Sequence, residues 1–256
     1  MALKGNLGTM PELNHQNKVL SVGMGSINVL DTYLSPNTYR GSVFLLSNDV
    51  TKKVILMNRE MFSNSFFVFN VSNMSDNSDK GQEVSFLCDY RYSLSYELVD
   101  EKNFSLYAGP EGFMKIGALY NMRNSNNPIQ VKLHLAVAVT SQAVYRFRVA
   151  EYPFAMRYRV DIPLIGTIFS PEYGQLYYEM LEYNQFKNAF PFAWPGNAPS
   201  LSHLLSLDFP VRDFQLRLSF LGDYFQYQVY GLKSKIFTNT IMIGVSRKLN
   251  FLYNGR

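Results

Sequence analysis

Residues 82–99 read Gln82-Glu-Val-Ser-Phe-Leu-Cys-Asp-Tyr-Arg-Tyr-Ser-Leu-Ser-Tyr-Glu-Leu-Val99. From 83 to 98 the even positions hold Val84, Phe86, Cys88, Tyr90, Tyr92, Leu94, Tyr96 and Leu98, all apolar or aromatic. The odd positions hold Glu83, Ser85, Leu87, Asp89, Arg91, Ser93, Ser95 and Glu97, polar except for Leu87. A strand sends successive side chains to opposite faces, so the two sets separate; a helix would scatter both around its axis. This one stretch therefore predicts a long strand with an apolar face and a polar, partly ionised one.

The same period recurs along the chain. Val131, Leu133, Leu135, Val137 and Val139 oppose Lys132, His134, Ala136, Ala138 and Thr140. Tyr145, Phe147 and Val149 oppose Arg146 and Arg148; Met156, Tyr158, Val160 and Ile162 oppose Arg157, Arg159 and Asp161. Phe214, Leu216, Leu218 and Phe220 oppose Gln215, Arg217 and Ser219. Turn-forming clusters such as Ser47-Asn-Asp49, Arg123-Asn-Ser-Asn-Asn-Pro128 and Gly222-Asp223 punctuate the runs. Taken as boundaries, they divide the chain into about twelve strands near 18–29, 40–48, 52–60, 62–72, 82–99, 102–122, 128–148, 154–169, 201–210, 213–222, 224–232 and 236–252.

Strand length and face chemistry choose the architecture. Several strands run far past the mode of about 5–6 residues in globular proteins. A soluble sandwich buries its apolar face, whereas a transmembrane barrel turns that face to lipid and its polar face to the lumen. The composition agrees with the barrel: 47% of the 256 residues are apolar and only 17% charged, with 18 tyrosines to populate interfacial girdles. The fold class predicted is an all-β antiparallel transmembrane β-barrel of about twelve strands, 18–256, behind an N-terminal extension, 1–17. The single cysteine, Cys88, excludes an internal disulfide framework. A net charge of +4 without long basic runs gives no support to nucleic-acid binding.

The stretch of about 170–202 departs from this period. It carries Pro171, Pro191, Pro195 and Pro199 among many aromatics, and it reads as one long loop with a short helix over Glu172 to Glu182. Packed over a barrel mouth, such a loop is a lid or plug. With twelve strands it would follow the eighth, on the side of the termini, where short turns are expected, so the count carries an internal conflict.

Candidate chemistry is sparse. Arg146, Arg148, Arg157 and Arg159 lie on consecutive strands joined at Glu151-Tyr-Pro153, all on the polar face. With Lys132, Arg91, Glu83, Asp89, Glu97 and Asp161 they form either an ion-paired packing cluster or an anion constriction, since guanidinium forks match carboxylates and phosphates. His134 shares the polar face and His203 the apolar one; with Ser202 they are the candidates for a lipid hydrolase of lipid A deacylase or phospholipase type. Filling the lumen and sitting at the interface are the simpler roles for the two histidines. Asn28, Asp31, Tyr33 and Ser35 before Pro36 could offer oxygen ligands to Ca²⁺, but read more simply as an Asx-type turn. His15 falls in a polar N-terminal stretch and reads as solvated. No cofactor or metal motif is present.

Several long motifs resemble a known family: Gly25-Ser-Ile-Asn-Val-Leu-Asp-Thr-Tyr-Leu-Ser-Pro-Asn-Thr-Tyr-Arg-Gly41, Leu106-Tyr-Ala-Gly-Pro110, Tyr120 to Pro128, Phe169-Ser-Pro-Glu-Tyr-Gly-Gln-Leu-Tyr-Tyr-Glu179, and Asn197 to Pro210. They resemble a Bacteroidetes family catalogued as domain of unknown function three-three-one-six, from about Val19 to near the C-terminus. The resemblance implies an outer-membrane-type barrel, a secretory signal peptide absent from the sequence given, and no assigned activity or catalytic residue.

The reading is thus a porin-like outer-membrane barrel of uncharacterised role, non-enzymatic, serving structure, solute passage or an envelope protein complex. Its expected partners are membrane lipids or lipopolysaccharide. The alternatives are an envelope lipid hydrolase with a His base and a soluble periplasmic ligand-binding barrel.

Overall fold

A computed structural model describes residues 16–247, apart from 57, 78–80, 151, 185, 212 and 213. His15 and most of the expected N-terminal extension lie outside the described residues. The strands are β1 (Gln16–Asp31), β2 (Thr38–Leu56), β3 (Arg59–Asp76), β4 (Gln82–Asp100), β5 (Phe104–Asn121), β6 (Ile129–Val149) and β7 (Tyr152–Ile168). A six-residue helix, α1 (Tyr177–Glu182), and a two-residue strand, β8 (Phe192–Ala193), follow; β9 (Leu201–Val211), β10 (Phe214–Val229) and β11 (Leu232–Arg247) complete the chain. All pairings are antiparallel. Strand follows strand around the wall, and β1–β11 with β6–β7 close it. With β8 set aside as a patch on β7, ten strands make the barrel.

The expected twelve strands become ten because two presumed turns are strand interior. Ser47-Asn-Asp49 runs straight through β2, paired with Phe66, Phe67 and Val68 of β3. Gly222-Asp223 runs through β10, paired with Asn239 and Thr238 of β11. Turn-prone residues mark turns when solvent receives their polar groups; here Asp49 and Asp223 face a polar lumen, and neighbouring strands take the backbone groups. Gly109-Pro-Glu-Gly112, a turn-prone run by composition, also lies inside β5.

Which face lies inside is unambiguous. In β4, Glu83, Ser85, Leu87, Asp89, Arg91, Ser93 and Ser95 are buried, while Phe86, Tyr90, Tyr92 and Tyr96 are exposed. In β1, Leu20, Val22 and Met24 stand outside, with Met24 72% exposed. An apolar exterior around a polar interior is the arrangement of a barrel solvated by lipid. Strands of 16–21 residues, β9 excepted at 11, exceed the ~9–11 needed to cross a bilayer, so the wall projects beyond it. No described helix is long and apolar enough to cross a membrane.

The ten-strand count removes the conflict over the long loop. Residues 169–200 now follow the seventh wall strand, at the end opposite the termini. The termini end has only short connections, at 57–58, 101–103, 150–151 and 212–213. The opposite end carries 32–37, 77–81, 122–128 and 169–200, together with a tight turn at Tyr230-Gly231 in which both residues have positive φ.

Candidate functional site

The lumen is crossed by ion pairs. Arg91 of β4 donates from Nη1 to Asp161 Oδ2 of β7 at 3.2 Å and to Ser202 Oγ of β9 at 2.5 Å, and from Nη2 to Asp223 Oδ1 of β10 at 3.0 Å. Lys115 of β5 donates to both oxygens of Asp89, at 2.7 and 2.6 Å, and to Asp223 Oδ2 at 2.8 Å. Asp161 Oδ1 accepts from Thr140 Oγ1 of β6 at 2.6 Å and from Arg159 Nε at 2.7 Å. Arg159 also binds Glu111 of β5 and Asn64 of β3. Asn64 Nδ2 donates to Asp49 Oδ1 of β2 at 2.6 Å, and Asp49 Oδ2 accepts from Arg217 Nη1 of β10 at 2.6 Å. Arg217 and Arg157 then share Asp208 of β9 through Nε–O contacts of 2.6 Å each. Nearer the loop end, Lys132 of β6 binds Asp31 of β1, Tyr227 Oη at 2.9 Å and Ser234 Oγ of β11 at 2.9 Å. Every wall strand thus supplies at least one member of these two networks.

Two of the pairs span the barrel's diameter. β4 and β10 lie five strands apart in the ten-strand order, as do β6 and β1. Long Arg and Lys side chains make these reaches, and charged heads in the lumen lie over aromatic rings. The Arg91 guanidinium lies 5.3 Å from the Phe113 centroid, and Lys115 Nζ lies 5.7 Å from that of Phe225.

The residues expected in one polar cluster fall into several separate groups. Arg91, Asp89, Asp161 and Arg159 meet in the central network, where Arg157 joins them through Asp208 and Arg217. Lys132 belongs to the loop-end network. Glu83 is held apart by Asn121 Nδ2 at 3.0 Å, and Glu97 accepts from Tyr107 Oη at 2.7 Å near the termini end. Arg146 donates to Ser105 Oγ at 2.8 Å, and Arg148 is exposed at the end of β6. The four arginines do not come together, because the register sets Arg146 and Arg148 opposite Ala155 and Pro153, and Arg157 and Arg159 opposite Val144 and Gln142. Sequence reading missed Lys115, Glu111, Asp208, Arg217 and Asp223 as partners. Their parity was the available signal; apparent turns within β5 and β10 concealed Glu111 and Asp223.

The nucleophile candidates do not converge. Ser202 faces inward and accepts from Arg91, whereas His203 lies on the outward row among Tyr158, Phe220 and Tyr224, with ring centroids 5.7–6.2 Å away. His134 is buried between Phe113 and Phe225, and its Nδ1 has no hydrogen-bond partner. No serine hydroxyl is bonded to either imidazole among the described residues. Asp31 forms the Asx turn: its Oδ1 accepts from Tyr33 N at 3.1 Å and its carbonyl from Ser35 N at 2.9 Å. Ser35 Oγ accepts from Asn37 N at 3.1 Å beside the exposed Pro36, and Asn28 sits half-buried on the outward row. Among the described residues no His/Cys/Asp/Glu group is arranged to hold a metal ion.

The loop end is capped. Tyr33 Oη donates to Gln175 O at 2.9 Å, while Tyr177 of α1 accepts from Val131 N and donates to Gln130 Oε1, each at 2.9 Å. The two rings meet edge to face at 5.7 Å. The expected helix within 172–182 is confined to Tyr177–Glu182. Beneath it, Ala193 and Ala198 join Leu34, Ile168 and Phe225 in an apolar core inside the mouth. Burial and the nearby Asp31 charge push the Tyr33 phenol up to about 12, and burial raises Tyr177 as well.

A family model described as Protein of unknown function (DUF3316) matches residues 8–256. The chain belongs to that family. Comparison with curated protein sequences gives no match. Among solved structures, the DUF3316 barrel is similar to the transport unit of the autotransporter AIDA-I from Escherichia coli, at 6% identity and a TM-score of 0.47, covering 93% of this chain and 92% of that one. The outer membrane protease OmpT from Escherichia coli follows at 7% identity and a TM-score of 0.44, covering 94% and 99%. The translocator domain of autotransporter NalP from Neisseria meningitidis has 7% identity and a TM-score of 0.45, covering 93% and 90%.

Two predictions follow from the networks and the cap of the DUF3316 barrel. Lys132→Met alone leaves Asp31 buried and unpaired and lowers unfolding stability by about 3–5 kcal/mol, whereas Lys132→Met with Asp31→Asn recovers most of it. Denaturant midpoints in lipid vesicles read the difference. The raised Tyr33 value favours the neutral phenol, so its contribution to the cap is whole below the ordinary value of 10 and is lost as pH rises through about 12. Fluorescence of Trp194, the one tryptophan, should report cap release over that window, and Tyr33→Phe should flatten the profile.

Proposed function

We propose that this chain is an outer-membrane β-barrel with a closed lumen, acting as a non-enzymatic structural or complex-forming element of the envelope rather than as a diffusion pore. The single observation that carries this is the central network joining β4, β5, β7 and β10 through Arg91, Lys115, Asp161 and Asp223. Eight strands enclose an interior just wide enough for side chains to fill. Ten give slightly more, and Arg and Lys stems with their acids take up the difference. Solute passage would require breaking buried pairs, which is costly. The arginines are accordingly read as packing partners, since Asp208, Asp161, Glu111 and Asp223 already occupy their forks.

Orientation follows from the connections: short turns at the termini end suit the periplasm, and the long capped loops suit the exterior. Membrane lipids or lipopolysaccharide are then the immediate partners of the exposed rows. The hydrolase alternative has no support from Ser202, His203 or His134, which lie on opposite faces or stand without a hydroxyl. The soluble periplasmic reading conflicts with Met24, Val137, Ile241 and Ile243 standing outside, each at least 60% exposed.

The test is conductance in planar bilayers after insertion has been verified by a heat-dependent gel shift. The wild type should be silent. Asp223→Ser with Arg91→Ser should open small steps, because both groups leave the lumen centre together. Stable steps from the wild type would overturn the closed-lumen reading.

A further inference from the structure

At the loop end the outward face of the wall turns polar on one side only. Val71, Phe44, Met24 and Ile241 form one outward row across β3, β2, β1 and β11. The next outward row on the same strands is Asn73, Ser42, Ser26 and Asn239. Beyond it stand Arg40 of β2, opposite Asn28, and Lys235 of β11, opposite Leu30, with Lys233 two residues away on β11. Across the barrel the outward face stays apolar up to the loops: Tyr120 of β5, Ile129 and Val131 of β6 and Leu164 and Ile165 of β7 are all exposed. Projection of the wall into water would turn every side polar, so the difference between the two sides calls for its own cause.

The chain makes little use of the polar groups on this face. Asn239 accepts from Tyr224 Oη at 2.8 Å. Among the described residues no hydrogen bond engages the side chains of Ser26, Asn28, Ser42 or Asn73, and no carboxylate pairs with Arg40, Lys233 or Lys235. The acids nearest in sequence, Asp31 and Asp76, are buried inside the wall. Inward cations behave in the opposite way, since Arg91, Lys115 and Lys132 all hold acids. Three interstrand spacings make the face about 14 Å wide. Arg40 and Lys235 lie two strands apart and two residues offset, about 12 Å between Cα atoms, so their long side chains can converge on one group between them.

We propose that this outward face of β3, β2, β1 and β11 binds the phosphorylated sugar head of an outer-leaflet glycolipid. Phosphate matches a guanidinium and an ammonium that no acid neutralises. Sugar hydroxyls, donor and acceptor at once, match the unused amides and hydroxyls of Asn28, Ser42, Ser26 and Asn73. The acyl chains would lie along Phe44, Met24 and Ile241, which are exposed directly beneath the polar rows. Charge and hydrogen bonding together select the head. A zwitterionic phospholipid would bring a cation of its own to Arg40 and Lys235. A glycerol phosphate head would answer the cations and leave most of the amide and hydroxyl row without partners. The proposal rests on the membrane reading and its orientation, and it names one lipid among the partners given there.

The test is native mass spectrometry of the full chain in a neutral detergent, titrated with monophosphoryl lipid A. The same lipid A stripped of its phosphate, and phosphatidylglycerol, are the comparators. Monophosphoryl lipid A should bind saturably and about tenfold more tightly than either. Arg40→Ser with Lys235→Ser should remove that preference, whereas Lys52→Ser with Arg59→Ser, exposed at the termini end, should keep it. Equal binding with and without phosphate, or a preference untouched by Arg40→Ser with Lys235→Ser, would overturn the site. Equal binding of phosphatidylglycerol would overturn the sugar head. A dimer of the chain in place of a lipid adduct, lost in the same variant, would overturn the lipid and make the face a contact between copies. The wild-type comparison of lipids decides by itself if the variant does not fold. The heat-dependent gel shift reads the closed barrel separately, so a protein that shifts but shows no preference among the lipids fails this proposal alone.

Discussion

Buried charge inside a lipid-facing wall is the constraint on which this molecule depends. Removing an ion from water costs several kcal/mol even after relaxation, and a lone buried charge is tolerated poorly. Here Arg91, Lys115, Lys132, Arg159 and Arg217 are all buried, and each finds at least one acid on another strand. Barrel closure and charge pairing therefore require each other. Until β4 and β10 stand on opposite sides of one lumen, Arg91 has no Asp223; until β6 faces β1, Lys132 has no Asp31. The apolar exterior favours insertion in general, while the pairs select one register, since a slip of a single residue would turn every inward charge toward lipid.

Much of this was legible in the amino-acid order because the two solvents differ so sharply. Lipid outside and a polar lumen inside force a strict period of two, and Glu83 to Leu98 shows it with Leu87 as the sole exception on the polar row. The inward positions of Lys132, His134, Arg157, Arg159 and Asp161 follow from parity alone. The strand number did not, because Asp49 and Asp223 resemble turn residues until one knows that a polar interior awaits them. Nor did the pairings: Arg91 lies 132 residues from Asp223 and Lys132 lies 101 from Asp31 in the chain, and nothing local sets which acid meets which base. Parity gives the face, whereas the partner across the lumen depends on strand number and stagger, which are properties of the closed whole.

The loop end departs from the regular wall in a consistent way. Tyr33, Tyr177 and Asn124 tie the loops to one another and to strand edges through side-chain hydrogen bonds, and alanines at 193 and 198 let the long segment approach the apolar core within the mouth. β8 continues the wall for two residues above the place where β9 begins. Between β8 and β9, residues 162–165 of β7 have no strand partner on that side among the described residues.

The assignment of faces is tested most directly by nitroxide labels placed singly at positions 84–95 of β4 in lipid vesicles, with oxygen and a water-soluble nickel chelate as relaxants. Collisions with oxygen should peak at 84, 86, 88, 90, 92 and 94 and fall at the intervening positions, which neither relaxant should reach freely. Oxygen maxima at the odd positions, or nickel maxima along the even row, would contradict the account, since the tyrosine-rich face would then not be the one solvated by lipid.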